Sequence, residues 1–171
     1  MFPLYDDNPS LSVPVVTYAV VALNVAAWIL LQGAGSEPAL TSSVCDLGLI
    51  PGELLGFVRD GLRVQIGSET FCELHPSTAN WLSPLWSMFL HGGWFHLLGN
   101  MWFLWVFGNN VEDSMGSARF VVFYLLCGLA AALAQTMTNP ASPIPMVGAS
   151  GAIGGVMGAY AVLYPRAHVQ M

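Results

Sequence analysis

The residues able to do chemistry are few, and they sit in two apolar stretches. Ser150 lies in the run VGASGAIGGVMGAY, between Gly148 and Gly151. Glycine on both sides lets another backbone or a bound molecule come close. The run predicts a helix opening at the serine, where the first N–H groups have no intrahelical partner. Those groups and the helix dipole favour a developing negative charge. A hydroxyl so placed is a candidate nucleophile; the competing reading is a plain N-cap serine. His96 and Asn100 are four residues apart and share one helix face. Polar side chains inside an apolar span mark function or interhelical bonding. Both can donate to an oxyanion; both can equally act as interhelical glue. His91 falls off that face, ahead of Gly92 and Gly93, where it is expected to bond loop backbone. Glu112 follows Gly108-Asn-Asn-Val and is read as capping the next helix or bracing a connecting loop. His91, His96 and His168 lack metal-ligand spacing and have no cysteine pair nearby, so no metal site is expected.

The elements that must position these residues follow from composition. The chain has 171 residues, 55% hydrophobic and 8% charged, where a soluble domain carries about 25% charged residues. So few charges cannot cover a soluble globule, and so much apolar content excludes disorder. Four arginines, no lysine and a net charge of −6 leave no basic footprint for nucleic acid. The remaining class is an all-α, polytopic membrane helical bundle. Four spans are predicted, at about 13–31, 84–107, 120–137 and 148–164, each close to the length a bilayer requires. In the second, Gly92–Gly93 marks the helix start, so the helix proper runs from about Trp94 to Phe107, followed by a polar connection over 108–119. Asn24, in the first span, is expected to bond a neighbouring helix. Gly151–Gly155 and Gly154–Gly158 are small-xxx-small pairs that predict close packing of the last span inside the bundle.

Residues 32–83 hold most of the charges, among them Glu37, Asp46, Glu53, Arg59, Asp60, Arg63, Glu69 and Glu73. The segment is expected to be an ordered loop with one or two short amphipathic helices. Cys45 and Cys72 both lie in it, open to a disulfide in an oxidising compartment or to two unrelated thiols. Arg119 and Arg166 flank spans on one side, which orients the chain weakly. That places the N-terminal segment 1–12 in the cytoplasm and the long loop outside, in a multi-pass protein of the cell membrane.

Taken in order, HGGWFHLLGNMWFLWVFGNNVED, VGASGAIGGVMGAY and the long loop between the first two spans resemble the rhomboid family of intramembrane serine proteases. The resemblance covers residues 13–171. It implies that Ser150 is the nucleophile, and that His96, Asn100 and the Ser150 N–H form the oxyanion hole. It implies that His91, Gly108, Glu112, Gly148 and Gly151 support the site. It further implies hydrolysis of a peptide bond in or near a transmembrane segment of a protein substrate, within the lipid bilayer, with no cofactor.

Departures from the family pattern are equally specific. The family's general base is a histidine on a sixth helix, and only four of about six spans are present. His168 would lie at the far end of the last span from Ser150, about 27 Å along a helix of eighteen residues. The expectation is the front portion of an endopeptidase whose site needs C-terminal helices from outside these residues, inactive as it stands. Some family members carry Trp-Arg where Leu82 and Ser83 stand, and an aromatic where Gly154 stands. Two rival readings are a non-catalytic rhomboid-fold protein that binds transmembrane clients, and a helical scaffold or transporter half.

Overall fold

A computed structural model describes residues 3–9, 12–67 and 69–170. The elements in chain order are β1 (Tyr5–Asp6), α1 (Val15–Leu30), α2 (Ala39–Leu47), α3 (Pro51–Leu54), β2 (Leu62–Gln65), β3 (Phe71–Leu74), α4 (Ser83–Trp86), α5 (Trp94–Met115), α6 (Ser117–Thr138), α7 (Ser150–Leu163) and β4 (Val169–Gln170). The molecule is mostly helical, as composition predicts. Two two-stranded pairings were not foreseen: β1 with β4, and the hairpin β2–β3.

Helices α1, α5, α6 and α7 form the bundle. Its core holds Trp28, Leu97, Leu104, Phe120, Tyr124 and Val156. Their outward faces stay apolar, with Leu30, Leu126, Leu133 and Val162 exposed. In lipid, apolar burial does not drive such helices together; close packing of small residues does. Gly151 meets this description, since a Cβ there would lie 2.5 Å from the Ala131 methyl of α6. Gly155 abuts Cys127 and Gly128 abuts Met88 in the same way.

Among the described residues, only α6 is long and apolar enough by itself to cross a membrane; α1 and α7 are shorter apolar helices. At 16 and 14 residues they rise about 24 and 21 Å, short of a hydrocarbon core of about 30 Å. Helix α5 starts at Trp94 but runs on to Met115. The polar connection expected over 108–119 is therefore mostly helix, broken only at Gly116, whose φ is +78°. The packing of its polar residues explains this. Asn110, Val111 and Glu112 are all buried, so this turn is held by tertiary contacts that its local polarity does not reveal.

The long loop is an ordered unit. Cys45 of α2 and Cys72 of β3 are joined by a disulfide, with Cα atoms 5.4 Å apart. Ile50, Cys72 and Leu74 form a small second core under the hairpin. This unit holds the link between α6 and α7. Leu49 N–H donates to Met146 O at 3.0 Å, Met146 N–H returns a bond to Leu49 O at 2.8 Å, and Gly52 N–H donates to Ser142 O at 2.8 Å. At the other end of the bundle, the N-terminal segment is not a free tail. Tyr5 pairs with Gln170 and Asp6 with Val169. Asp6 Oδ2 accepts from Asn110 Nδ2 at 2.6 Å and from the Tyr160 hydroxyl at 2.7 Å. Asn24 Nδ2 donates to Val20 O of its own helix at 2.8 Å, and its side chain also faces the Tyr124 hydroxyl of α6.

Candidate active site

Ser150 is the first residue of α7, and Ala149 occupies the N-cap position without any side-chain cap bond. The plain N-cap reading of the serine therefore does not apply. Its N–H, as the first of the helix, has no intrahelical carbonyl to bond. Ser150 is exposed and lines a cavity of about 200 Å³ with Ser87, Met88, Gln135, Gly148 and Gly151.

Gly148 brings the second helix to this point. Its φ is +125°, a region that favours glycine. A Cβ on it would lie 2.6 Å from His96 Nε2 and 3.6 Å from Asn100 Nδ2. Only a glycine lets the segment before α7 pass so close to both polar side chains of α5. Gly148 N–H donates to Ser87 O at 2.8 Å, which fixes the segment from the other side. His96 Nδ1 accepts from Gly92 N–H at 3.3 Å. In the neutral ring that leaves the proton on Nε2, the nitrogen facing Gly148. Asn100 Nδ2 is buried and has no hydrogen-bond partner among the described residues. Two donors are thus directed at the head of a helix whose own N–H groups are open, beside a hydroxyl.

Comparison with known proteins bears on this arrangement. Residues 78–171, more than half of the chain, match the family model described as a rhomboid domain. The chain belongs to the rhomboid family. It is 42% identical over 79 residues to the rhomboid protease GluP of Bacillus subtilis (strain 168), a match of 46% of this chain and 15% of that protein. It is 37% identical over 78 residues to RHOMBOID-like protein 5 of Arabidopsis thaliana, 46% of this chain and 24% of that one. Rhomboid protein 1, mitochondrial, of Saccharomyces cerevisiae is 33% identical over 92 residues, 52% of this chain and 27% of that one. Each match spans less than a third of the relative's length. No solved structure matches the chain significantly. Membership in the rhomboid family makes this a membrane protein.

The other residues singled out in the rhomboid sequence pattern are placed as follows. Glu112 is neither in a loop nor exposed; it is buried near the end of α5. Its carboxylate accepts from Val16 N–H at 3.0 Å, Thr17 N–H at 2.8 Å, the Thr17 hydroxyl at 2.8 Å and the Ser117 hydroxyl at 2.6 Å. It caps α1 and, through the Ser117 hydroxyl, ties that helix to the start of α6. Pro14, at the N-cap of α1, makes no such bond. Gly108, one turn earlier, gives Thr17 room: a Cβ there would lie 3.0 Å from the Thr17 methyl. The His91 ring is fully buried against His96, with centroids 5.1 Å apart. Its backbone N–H and C=O pair instead with the side-chain amide of Gln32.

Two further histidines lie among the described residues. His75 sits in the long-loop unit beside Asp60, its Nδ1 3.2 Å from Oδ1. His168 follows α7, where its carbonyl accepts from Asp7 N–H, with the whole helix between it and Ser150. Among the described residues no group of His, Cys, Asp or Glu could hold a metal. Sequence reasoning missed Gln32, Ser87 and Gln135. Each is an ordinary polar residue outside any motif, and only the fold brings it to the site.

Proposed function

We propose that this rhomboid chain carries the nucleophile and oxyanion hole of an intramembrane serine endopeptidase, with Ser150 attacking the scissile carbonyl. The observation that carries this reading is the convergence of His96 Nε2 and the unpartnered Asn100 Nδ2 on Gly148, next to the exposed Ser150. Preorganised donors of this kind stabilise the tetrahedral oxyanion more than the planar carbonyl. Attack forms an ester between Ser150 Oγ and the acyl half of the substrate and releases the amine half; water then hydrolyses the ester. The serine needs a base to take its proton. That base comes from outside the four histidines of this chain. A methyl group placed on Gly154 or Gly158 would have no neighbour within 4 Å among the described residues. One face of α7, starting one turn after Ser150, is therefore open to a further helix bearing the base. The substrate is a membrane protein with a transmembrane segment. The long loop lies outside the cell membrane, where Cys45 and Cys72 stay oxidised, and the N-terminus faces the cytoplasm.

The test is cleavage of a single-span reporter by the complete gene product in proteoliposomes. The wild type cleaves and Ser150→Ala does not; equal cleavage by both overturns the reading. The lack of a base among these residues favours one rival, a non-catalytic protein that binds transmembrane clients. It predicts that wild type and Ser150→Ala retain the reporter equally and cleave neither.

A further inference from the structure

Gln32 is one of three residues at the site that no motif explains. It lies just past the end of α1, before the residues matched by the rhomboid domain, and is fully buried. Its amide makes two bonds to one backbone position. Nε2 donates to His91 O at 2.7 Å, and Oε1 accepts from His91 N–H at 2.8 Å. A primary amide that pairs with both polar groups of one residue fixes that residue's position and plane, as a strand partner would. The next N–H along the chain, that of Gly92, is the one that donates to His96 Nδ1. The His91 ring also packs edge-on against the His96 ring, 71° between their planes. Gln32 thus reaches His96 by two routes, through the Gly92 N–H and through the His91 ring. Gly92 and Gly93 have little steric reason to hold one conformation, so the bond to His96 depends on what anchors His91.

We propose that Gln32 is a positioning residue for the oxyanion hole: by bracketing the His91 backbone it holds Gly92 N–H on His96 Nδ1, which keeps the Nε2 proton aimed at the head of α7. The inference rests on the reading of His96 as an oxyanion donor. Losing one oxyanion donor costs about 100- to 1,000-fold in rate; a displaced donor costs less. Gln32→Leu, which fills the site without either bond, is expected to lower kcat about 10- to 100-fold and to leave KM unchanged, because the donor acts in the transition state.

The experiment pairs reporter cleavage with nitrogen-15 spectra of histidine-labelled protein, both on the complete gene product. Wild-type His96 is expected as the single tautomer with its proton on Nε2, and Gln32→Leu as a mixture of tautomers. Gln32→Glu, which keeps an acceptor for His91 N–H, recovers part of both signals and serves if the leucine variant does not fold. Unchanged kcat together with an unchanged His96 tautomer in Gln32→Leu overturns the positioning role while the protease reading stands. If the wild type cleaves nothing and Gln32→Leu still scrambles the His96 tautomer, the protease reading fails and the positioning role stands.

Discussion

At the scale of residues, the site depends on atoms that must be absent as much as on those present. Gly148 is the sharpest case, with its positive φ and its approach to His96. Gly148→Ala introduces a methyl into both constraints at once, so it is expected to displace the His96 ring. Reporter cleavage should fall about 100-fold, the scale of a donor moved by an ångström, and strain at this φ should lower the unfolding free energy by about 1–3 kcal/mol. Glu112 makes the opposite kind of contribution. Its four accepted bonds include two backbone N–H groups of α1 that have no other cap. Glu112→Ala leaves buried donors unpaired, at about 1–3 kcal/mol each. Thermal unfolding in detergent should show a loss of at least about 2 kcal/mol; Glu112→Gln, which keeps an acceptor oxygen, should lose less.

At the scale of elements, the unit between α1 and α5 acts as a clamp on the link before α7. The disulfide ties α2 to β3, and the residues just after α2 bond Met146 and Ser142. Closing a loop of 27 residues is worth up to about 3.5 kcal/mol in chain entropy. Cys72→Ser is therefore expected to lower the unfolding free energy by up to that amount. Hydrogen exchange at the Met146 amide should also become faster, because its partner Leu49 is held from the disulfide side. Unchanged exchange at Met146 would mean that the clamp does not extend to the link. Run length and polarity decide which of these elements can be read in advance. Helices α1, α6 and α7 were legible because long apolar runs have few alternatives. The hairpin was not, because LRVQ and FCEL are too short and too polar on one face to stand out from a loop. The extension of α5 was hidden because Asn110 and Glu112 look solvent-facing until Asp6, Thr17 and Ser117 are seen against them.

At the scale of the whole molecule, α7 is packed on two sides, by α5 and α6, and open along Gly154 and Gly158. If that face receives the helix bearing the base, Gly154→Leu in the complete gene product should abolish reporter cleavage. The packing of α7 against α5 and α6 should survive, since none of the described residues lies against that position. The readout is cleavage alongside crosslinking of Cys127 on α6 to an introduced cysteine on α7. Retained cleavage would mean that the base approaches Ser150 from elsewhere. The opposite end of the bundle is closed by Asp6, which joins Asn110 of α5 to Tyr160 of α7.

The amino-acid sequence by itself determined the class of the protein, the positions of its apolar helices and the placement of His96 and Asn100 on one helix face. Those follow from composition, from hydrophobic run length and from spacing along one helix, all of which are local. Tertiary structure alone decided that Gly148 runs against His96, that Glu112 caps a helix nearly a hundred residues earlier in the chain, and that Gln32 holds the backbone of His91. Each of these is a contact between segments far apart in sequence. A buried polar group must find a partner somewhere, but its own neighbours in the chain do not say where.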